Sequence, residues 1–335
     1  MIKIAVYTIA LNEEKHVRRW YESAKDADLL LIADTGSKDK TIEIARELGI
    51  RIHQIEVNPW RFDIARNASL NLIPEDFQMC IQLDMDEVIS KNWRHEVENA
   101  WKTGNHWPLY KEVMERNPDG SIRSSFEHFR IHARKGFYWQ YPVHEVLMPE
   151  PNLNFKRDPI KLEIDHLPDW TKSRNSYLQL LEMATIEMPN DWRMAHYLCR
   201  EYWYKKDWVS VLKSAVKAMN LTYGWDVERA STCIWASDAA QNLGLNTWAM
   251  EWALRATKEA PDFYEAWHNH AQIAYLNQLW TECFHSASKI LILERHNHHL
   301  VKPEIWQWWG YDLLALSSHY LGKRNLAIKY GKKAL

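Results

Sequence analysis

Met79-Cys80-Ile81-Gln82-Leu83-Asp84-Met85-Asp86-Glu87 is an apolar run that ends in two carboxylates one residue apart. Its first five residues have the length and composition of a buried strand. Alternation along an extended chain puts Asp84 and Asp86 on one side if the strand continues. Two close carboxylates repel unless a cation lies between them. Hard oxygen donors of this kind suit Mg²⁺ or Mn²⁺, which in turn bridge to phosphates. Acidic pairs at strand ends are also common as merely solvated groups, so the surrounding chain has to decide.

Three similar runs come earlier, each separated from the next by a helical pattern. Ile2–Thr8 reads as a strand and Glu13–Lys25 as a helix. Asp28–Ala33 reads as a strand that ends at Asp34, and Lys38–Leu48 as a helix stopped by Gly49. Ile50–Val57 is the third strand, and Phe62–Leu72 is a helix closed by Pro74. This alternation means βαβ units and a mostly parallel sheet. Ligands of such sheets bind beyond the carboxyl ends of the strands. Thr8, Asp34 and Asp84 each stand at such an end. Further on, Trp93–Trp101 reads as a helix. Asn117-Pro118-Asp119-Gly120 reads as the tip of a hairpin between Lys111–Arg116 and Ser121–Arg130. Short strand-like runs come after it at Glu145–Met148 and Ile160–Asp165.

Beyond Pro168 the strand signals stop, and a helix is expected to start at Thr171. A weak repeat runs through the rest. Trp208 is followed by Val211, Ala215 and Ala218; Asn246 by Ala249, Ala253 and Ala256; Trp280 by Cys283, Ala287 and Ile290; Arg324 by Ala327, Gly331 and Ala334. These offsets put small residues on one helix face, where a neighbouring helix can come close. The anchors are 38, 34 and 44 residues apart, which resembles tetratricopeptide repeats, units of about 34 residues built from two helices. The expected organisation is an α/β domain over residues 1–170 and a TPR-like all-α repeat domain over residues 171–335.

Composition removes several classes. With 335 residues, 46% hydrophobic and 26% charged, the chain is of ordinary globular type. No uncharged apolar run near the start approaches the ~20 residues of a membrane helix, and no signal peptide is read. The net charge of −2 argues against a bulk electrostatic nucleic-acid binder. Cys80, Cys199, Cys233 and Cys283 lie far apart and form no CxxC, which argues against a disulfide framework or a cysteine zinc site and for a cytoplasmic home. The 19 tryptophans, 12 of them after residue 171, read chiefly as packing between helices. A few of them are candidates for stacking on a sugar or a base.

Several segments, taken in order, resemble the inverting family 2 glycosyltransferases of GT-A fold. They are Tyr7-Thr8-Ile9-Ala10-Leu11-Asn12-Glu13-Glu14, the D-x-G-S-x-D-x-T pattern of Asp34–Thr41, the F-x-x-A-R-N pattern of Phe62–Asn67, and Leu83-Asp84-Met85-Asp86-Glu87. Pro142-Val143-His144-Glu145 and Ile164-Asp165-His166 are similar to segments of a bacterial and phage subgroup, several members of which carry helical repeats after the catalytic domain. The resemblance implies a Rossmann-like GT-A domain that takes a nucleotide-diphosphate sugar, of uridine type, with Mn²⁺ or Mg²⁺. It implies that Thr8 lines the base slot, Asp34 accepts the N3 hydrogen, Glu13 lies near the base or ribose, and Arg66 helps hold the nucleotide. Asp84 would face ribose and metal, Asp86 would bind the metal, and His144 would be a third protein ligand. His166 would touch a phosphate or merely close the domain.

An acceptor hydroxyl needs a carboxylate base. Glu145 is the candidate, with Asp165 and Glu127 next, and a salt bridge to an arginine is the plain alternative for all three. No E-D base motif can be placed after Gly120, so the base stays open. Arg130 and Arg134 fit either donor phosphates or a solvated strand face. The chain lacks a G-x-G-x-x-G after its first strand, which disfavours a dinucleotide oxidoreductase. A repeat-based interaction protein carrying an inactive transferase domain remains the alternative. The acceptor is open between peptide, glycan and modified DNA base. The helical half carries a charge of +3 and ends in the basic set Lys323, Arg324, Lys329, Lys332 and Lys333. That set suits a polyanion or a solvated helix face.

Overall fold

The computed structural model describes residues 2–169, 176–294, 302 and 304–335. Two compact units divide the chain, Met1–Arg174 and Asn175–Leu335. The helix start expected at Thr171 lies outside the described residues.

The first unit is α/β. Strands β1 (Ile4–Ala10), β2 (Leu29–Asp34), β3 (Arg51–Gln54) and β4 (Met79–Gln82) lie parallel in the order β3-β2-β1-β4. A strand absent from the sequence reading, β8 (Ile131–Ala133), closes the far edge antiparallel to β4. Central strands buried on both faces need near-continuous apolar runs, and β1 and β4 have them. Helices α1 (Val17–Ala24), α2 (Thr41–Glu47) and α3 (Phe62–Asn71) connect the strands. Trp20 on α1 is fully buried, and its indole donates to the Leu83 carbonyl at 2.9 Å. It therefore ties the first helix to the residue that precedes Asp84.

A second, mixed sheet was only partly legible in the sequence. It contains β5 (Glu87–Ile89), β6 (Leu109–Arg116), β7 (Ile122–His128) and β11 (Pro159–His166) in the order β5-β11-β6-β7. The β6–β7 hairpin turns at Asn117–Gly120, where Gly120 takes φ +85° and its N–H donates to the Asn117 carbonyl. Helix α4 (Trp93–Lys102) packs on β11, and β9 (Phe137–Gln140) pairs antiparallel with β10 (Val146–Pro149).

The second unit is all helix among its described residues: α5 (Tyr177–Glu187), α6 (Trp192–Tyr204), α7 (Trp208–Met219), α8 (Asp226–Asn242), α9 (Asn246–Glu259), α10 (Tyr264–Leu276), α11 (Trp280–Ile290), α12 (Gly310–Tyr320) and α13 (Arg324–Ala334). The four anchors of the repeat, Trp208, Asn246, Trp280 and Arg324, are the first residues of α7, α9, α11 and α13. Two residues before each anchor the chain turns through the left-handed region, at Lys206, Gly244, Gln278 and Gly322. The next N–H in each case reaches back five residues, Asp207 to Tyr202, Leu245 to Ala240, Leu279 to Ala274 and Lys323 to Ser318, at 2.8 to 3.1 Å. This is the Schellman closure of a helix, repeated four times. Small residues then allow close packing: Val211, Ala215, Ala218, Ala249, Ala253, Ala256, Cys283 and Ala287 are fully buried. Asp191 and Asp207 cap α6 and α7, accepting from the N–H groups of Met194 and Ser210. A π turn, Ile305–Trp309, leads into α12, and a Cβ on Gly310 would lie 2.9 Å from the Ile305 carbonyl.

Candidate active site

The sheet order places the ends of β1, β2 and β4 side by side. Thr8 and Asp34 are fully buried there. The Asp34 carboxylate accepts the N–H groups of Gly36 (3.0 Å) and Ser37 (3.1 Å), which folds the chain back under it. Gly36 holds φ +110°, a conformation that favours glycine.

The two motif loops 11–14 and 34–41 are stitched to each other. Asn12 N–H donates to Ser37 Oγ and Lys38 N–H to Asn12 Oδ1. Glu14 N–H donates to Asp39 Oδ2 and Lys40 N–H to Glu14 Oε2. Glu13 N–H donates to Thr41 Oγ1 at 2.7 Å, and the Glu13 side chain is buried. Much of the sequence pattern in these loops therefore serves to hold the loops together.

Helix α3 works as a clasp. Phe62 N–H donates to the Pro142 carbonyl at 2.9 Å. Asn67 both donates to the Trp139 carbonyl (2.7 Å) and accepts the Trp139 N–H (2.8 Å). Between them, the Arg66 guanidinium donates to both oxygens of Asp84 (3.0 and 3.3 Å) and to Glu145 Oε1, and lies over the Trp139 ring. His144, with φ +53°, and Glu145 thus come to the β4 end on a loop that α3 holds down.

Arg130, just before β8, is the buried centre of this region. It donates to Gln82 Oε1 and Asp84 Oδ2, both at 2.9 Å, to Glu87, and to both oxygens of Glu112 at 3.1 Å. It occupies neither a solvated strand face nor an open phosphate site. Burial pushes the Asp84 carboxyl up, but the Arg66 and Arg130 guanidiniums outweigh it and hold the group below the usual carboxylate range. Glu87 goes the other way, well above its ordinary value, because burial and the neighbouring Glu112 and Asp84 carboxyls outweigh Arg130. The sequence reading missed Arg130, Glu87 and Glu112 as a set. The available signal was Glu112 itself, a charge at an inward position of a strand.

Asp86 stands outside this closed network. Its carboxylate lies 3.4 Å from His166 Nε2, and both side chains are partly exposed. Pairing of His166 with Glu87 in the β11–β5 ladder, and Leu167 N–H on the Asp86 carbonyl, bring the two together. The hydrogen bond to Asp86 raises the His166 pKa. Asp165, the next residue back, faces the opposite side of β11 and is held by Arg116 Nε at 2.7 Å. The structure does not bring it to Asp86 and His166. Glu127 is exposed on β7, and Arg134 donates to the Ile73 carbonyl.

Among the described residues no group of three or more His, Cys, Asp and Glu side chains is arranged to hold a metal ion. Both oxygens of Asp84 are engaged by arginines. The Asp86–His166 pair offers a carboxylate beside an imidazole, two donors rather than a complete ligand set. Mg²⁺ and Mn²⁺ sites that serve phosphates use one or two protein ligands and take the remainder from the substrate.

Residues 5–145 match the family model described as Glycosyl transferase family 2, and the first unit carries a domain of this family. An uncharacterized glycosyltransferase of Rickettsia bellii (strain RML369-C) is 30% identical over 121 residues, 34% of this chain and 40% of its own. One of Rickettsia felis (strain ATCC VR-1525 / URRWXCal2) is 29% identical over 124 residues, 35% of this chain and 42% of its own. The chain thus spans about 40% of the length of these relatives. Two solved structures are similar in part. MamA is 16% identical with a TM-score of 0.40, over 48% of this chain and 85% of that chain. YrrB, described as a TPR protein with an unusual peptide-binding site, is 12% identical with a TM-score of 0.39, over 48% and 75%. Among the described residues no helix is long and apolar enough to cross a membrane.

Proposed function

We propose that the first unit transfers a sugar, with inversion, from a nucleotide-diphosphate donor of uridine type to an acceptor hydroxyl. One observation carries this reading. The ends of β1, β2 and β4, helix α3 and the 142–145 loop meet at one sheet edge, with Arg66 bridging Asp84 and Glu145.

Thr8 and Asp34 would receive the base. Each Asp34 oxygen has two lone pairs, so the turn N–H groups leave room for the N3 hydrogen. Glu13 would lie beside the ribose. Asp84 is kept anionic and fixed by two guanidiniums, so it can accept a ribose hydroxyl without moving. A diphosphate arriving beside Asp84 and Asp86 needs a cation to offset the repulsion. Asp86 and His166 would hold that metal, His144 would be the further protein ligand implied by the resemblance, and the bound ion would act as Lewis acid on the departing diphosphate. Glu145 would take the acceptor proton, its orientation set by Arg66.

Calorimetric titration with UDP, GDP, CDP and ADP, with and without Mn²⁺, tests the reading. UDP binding that needs the metal is expected. Absence of binding by every nucleotide would overturn it and favour an interaction protein with an inactive transferase domain.

A further inference from the structure

The second unit contains a cavity of about 420 Å³ on one face of its repeat. Its walls come from α6, α8 and α10, the first helices of three successive pairs. Stacked helix pairs form a concave surface along their first helices, so the cavity sits where a repeat array offers its inner face. The lining is not the apolar groove that simple packing would leave. Trp203, Trp235 and Trp309 stand around Asp238, Glu265 and Asn269.

The hydrogen bonds of these polar groups are incomplete in one direction. Asp238 accepts from Trp203 Nε1 at 3.1 Å and from Asn269 Nδ2 at 3.0 Å. Asn269 therefore spends a donor on Asp238, while its own Oδ1 is buried without a hydrogen-bond partner among the described residues. Glu265 Oε1 accepts the backbone N–H of Lys302 at 2.6 Å, and Glu265 Oε2 is buried without a partner among the described residues. Both side chains are more than nine-tenths buried, Glu265 at 7% and Asn269 at 4% exposure. They are four residues apart on α10 and share its face. Buried acceptors are normally satisfied, and a pair left open beside a cavity calls for a donor from outside. Among the described residues of the lining, Arg200 lies over the rings of Tyr197 and Tyr204, and Lys302 is exposed, its charge being the smallest of the effects on Asp238 and Glu265.

We infer that this inner face is a binding site for the positively charged side chain of a peptide, an alkylammonium or guanidinium group. Two of the three polar groups are carboxyls, and a cation pairs with them where a neutral hydroxyl would not. Indole faces attract a cation through the same ring quadrupole. Burial lifts Asp238 to about 6 and Glu265 to about 7, outweighing their hydrogen bonds and the Lys302 charge, so a further cation at the cavity would be favoured. The volume accommodates one long side chain, and Gln272 adds a carboxamide complementary to a peptide group. The inference concerns the helical unit and does not depend on the transferase reading.

The test is titration of the full chain, followed by tryptophan fluorescence, with acetylated and amidated pentapeptides that carry Lys, Arg, Gln or norleucine between glycines. Maltotriose serves as a neutral saccharide probe. The Lys or Arg peptide is expected to bind at least about tenfold more tightly than the Gln and norleucine peptides. Glu265→Gln and, separately, Asp238→Asn should each abolish that preference while circular dichroism stays that of the parent. Equal binding of the Gln and Lys peptides, tighter binding of maltotriose, or no saturation by any probe at millimolar concentration would each overturn the inference. The peptide ratio in the parent protein decides even if a variant fails to fold.

Discussion

Two buried polar clusters, one in each unit, are handled in opposite ways. In the first, Arg66 and Arg130 sit among Asp84, Glu87, Glu112 and Glu145, and each carboxylate finds a guanidinium. In the second, Glu265 and Asn269 keep buried acceptor atoms with no donor among the described residues. A closed network fixes geometry, because moving one member exposes the charge of the others. An open one stores a cost that an arriving partner can remove. Rigid presentation at the sheet edge and unfilled demand in the helical groove are therefore two uses of the same physics.

The largest expected effect breaks the closed network. Arg130→Met leaves Asp84, Glu87 and Glu112 short of their shared cation and should cost about 3–5 kcal/mol in urea unfolding of the first unit. A loss below about 1 kcal/mol would mean that the pairs contribute little more than exposed ones do.

The next tests the open set. The Glu265 carboxyl is raised from 4.5 to about 7 by burial. Its stabilising contribution is complete below pH 4.5 and is lost as the pH rises through about 7. Glu265→Gln should therefore leave stability unchanged near pH 4 and raise it by roughly 3 kcal/mol at most above pH 7, in denaturant titrations across pH. A variant whose stability parallels the parent at every pH would refute the assignment.

Asp86→Ala separates function from framework, since Asp86 contacts His166 outside the arginine network. Sugar transfer should fall by about 100-fold or more while the melting temperature holds. Equal activity would remove the metal role of Asp86. The smallest effect concerns a helix end. Asp191→Ala removes the cap on Met194 N–H and should cost about 1 kcal/mol, confined to the second unit.

The elements that local patterns encode were legible. Three of the four parallel strands follow from apolar runs and β3 from an alternating segment, and the repeat anchors follow from small-residue offsets. Arg130 was not, because its partners Glu87 and Glu112 lie 43 and 18 residues away and nothing local distinguishes it from a surface arginine. Strands β5 and β8 have three residues each, too short for a period to register. At the site, the loop motifs read as ligand contacts, whereas the bonds the structure shows for them run from one loop to the other. The recurring left-handed turn escaped notice because Lys206 and Gln278 stand where Gly244 and Gly322 announce it.

The π turn before α12 carries a consequence of phase. A π turn admits one extra residue into a helical revolution, which rotates the rest of the helix by roughly 100° relative to a regular one. Trp309 thereby lines the groove and stacks on His268 at 5.0 Å, while its neighbour Trp308 is 43% exposed. Which indole meets a ligand is thus set by the number of residues in Ile305–Trp309 rather than by their chemistry. Loss of one residue there would turn Trp309 off the groove and leave Trp203 on α6 and Trp235 on α8 as its indole wall.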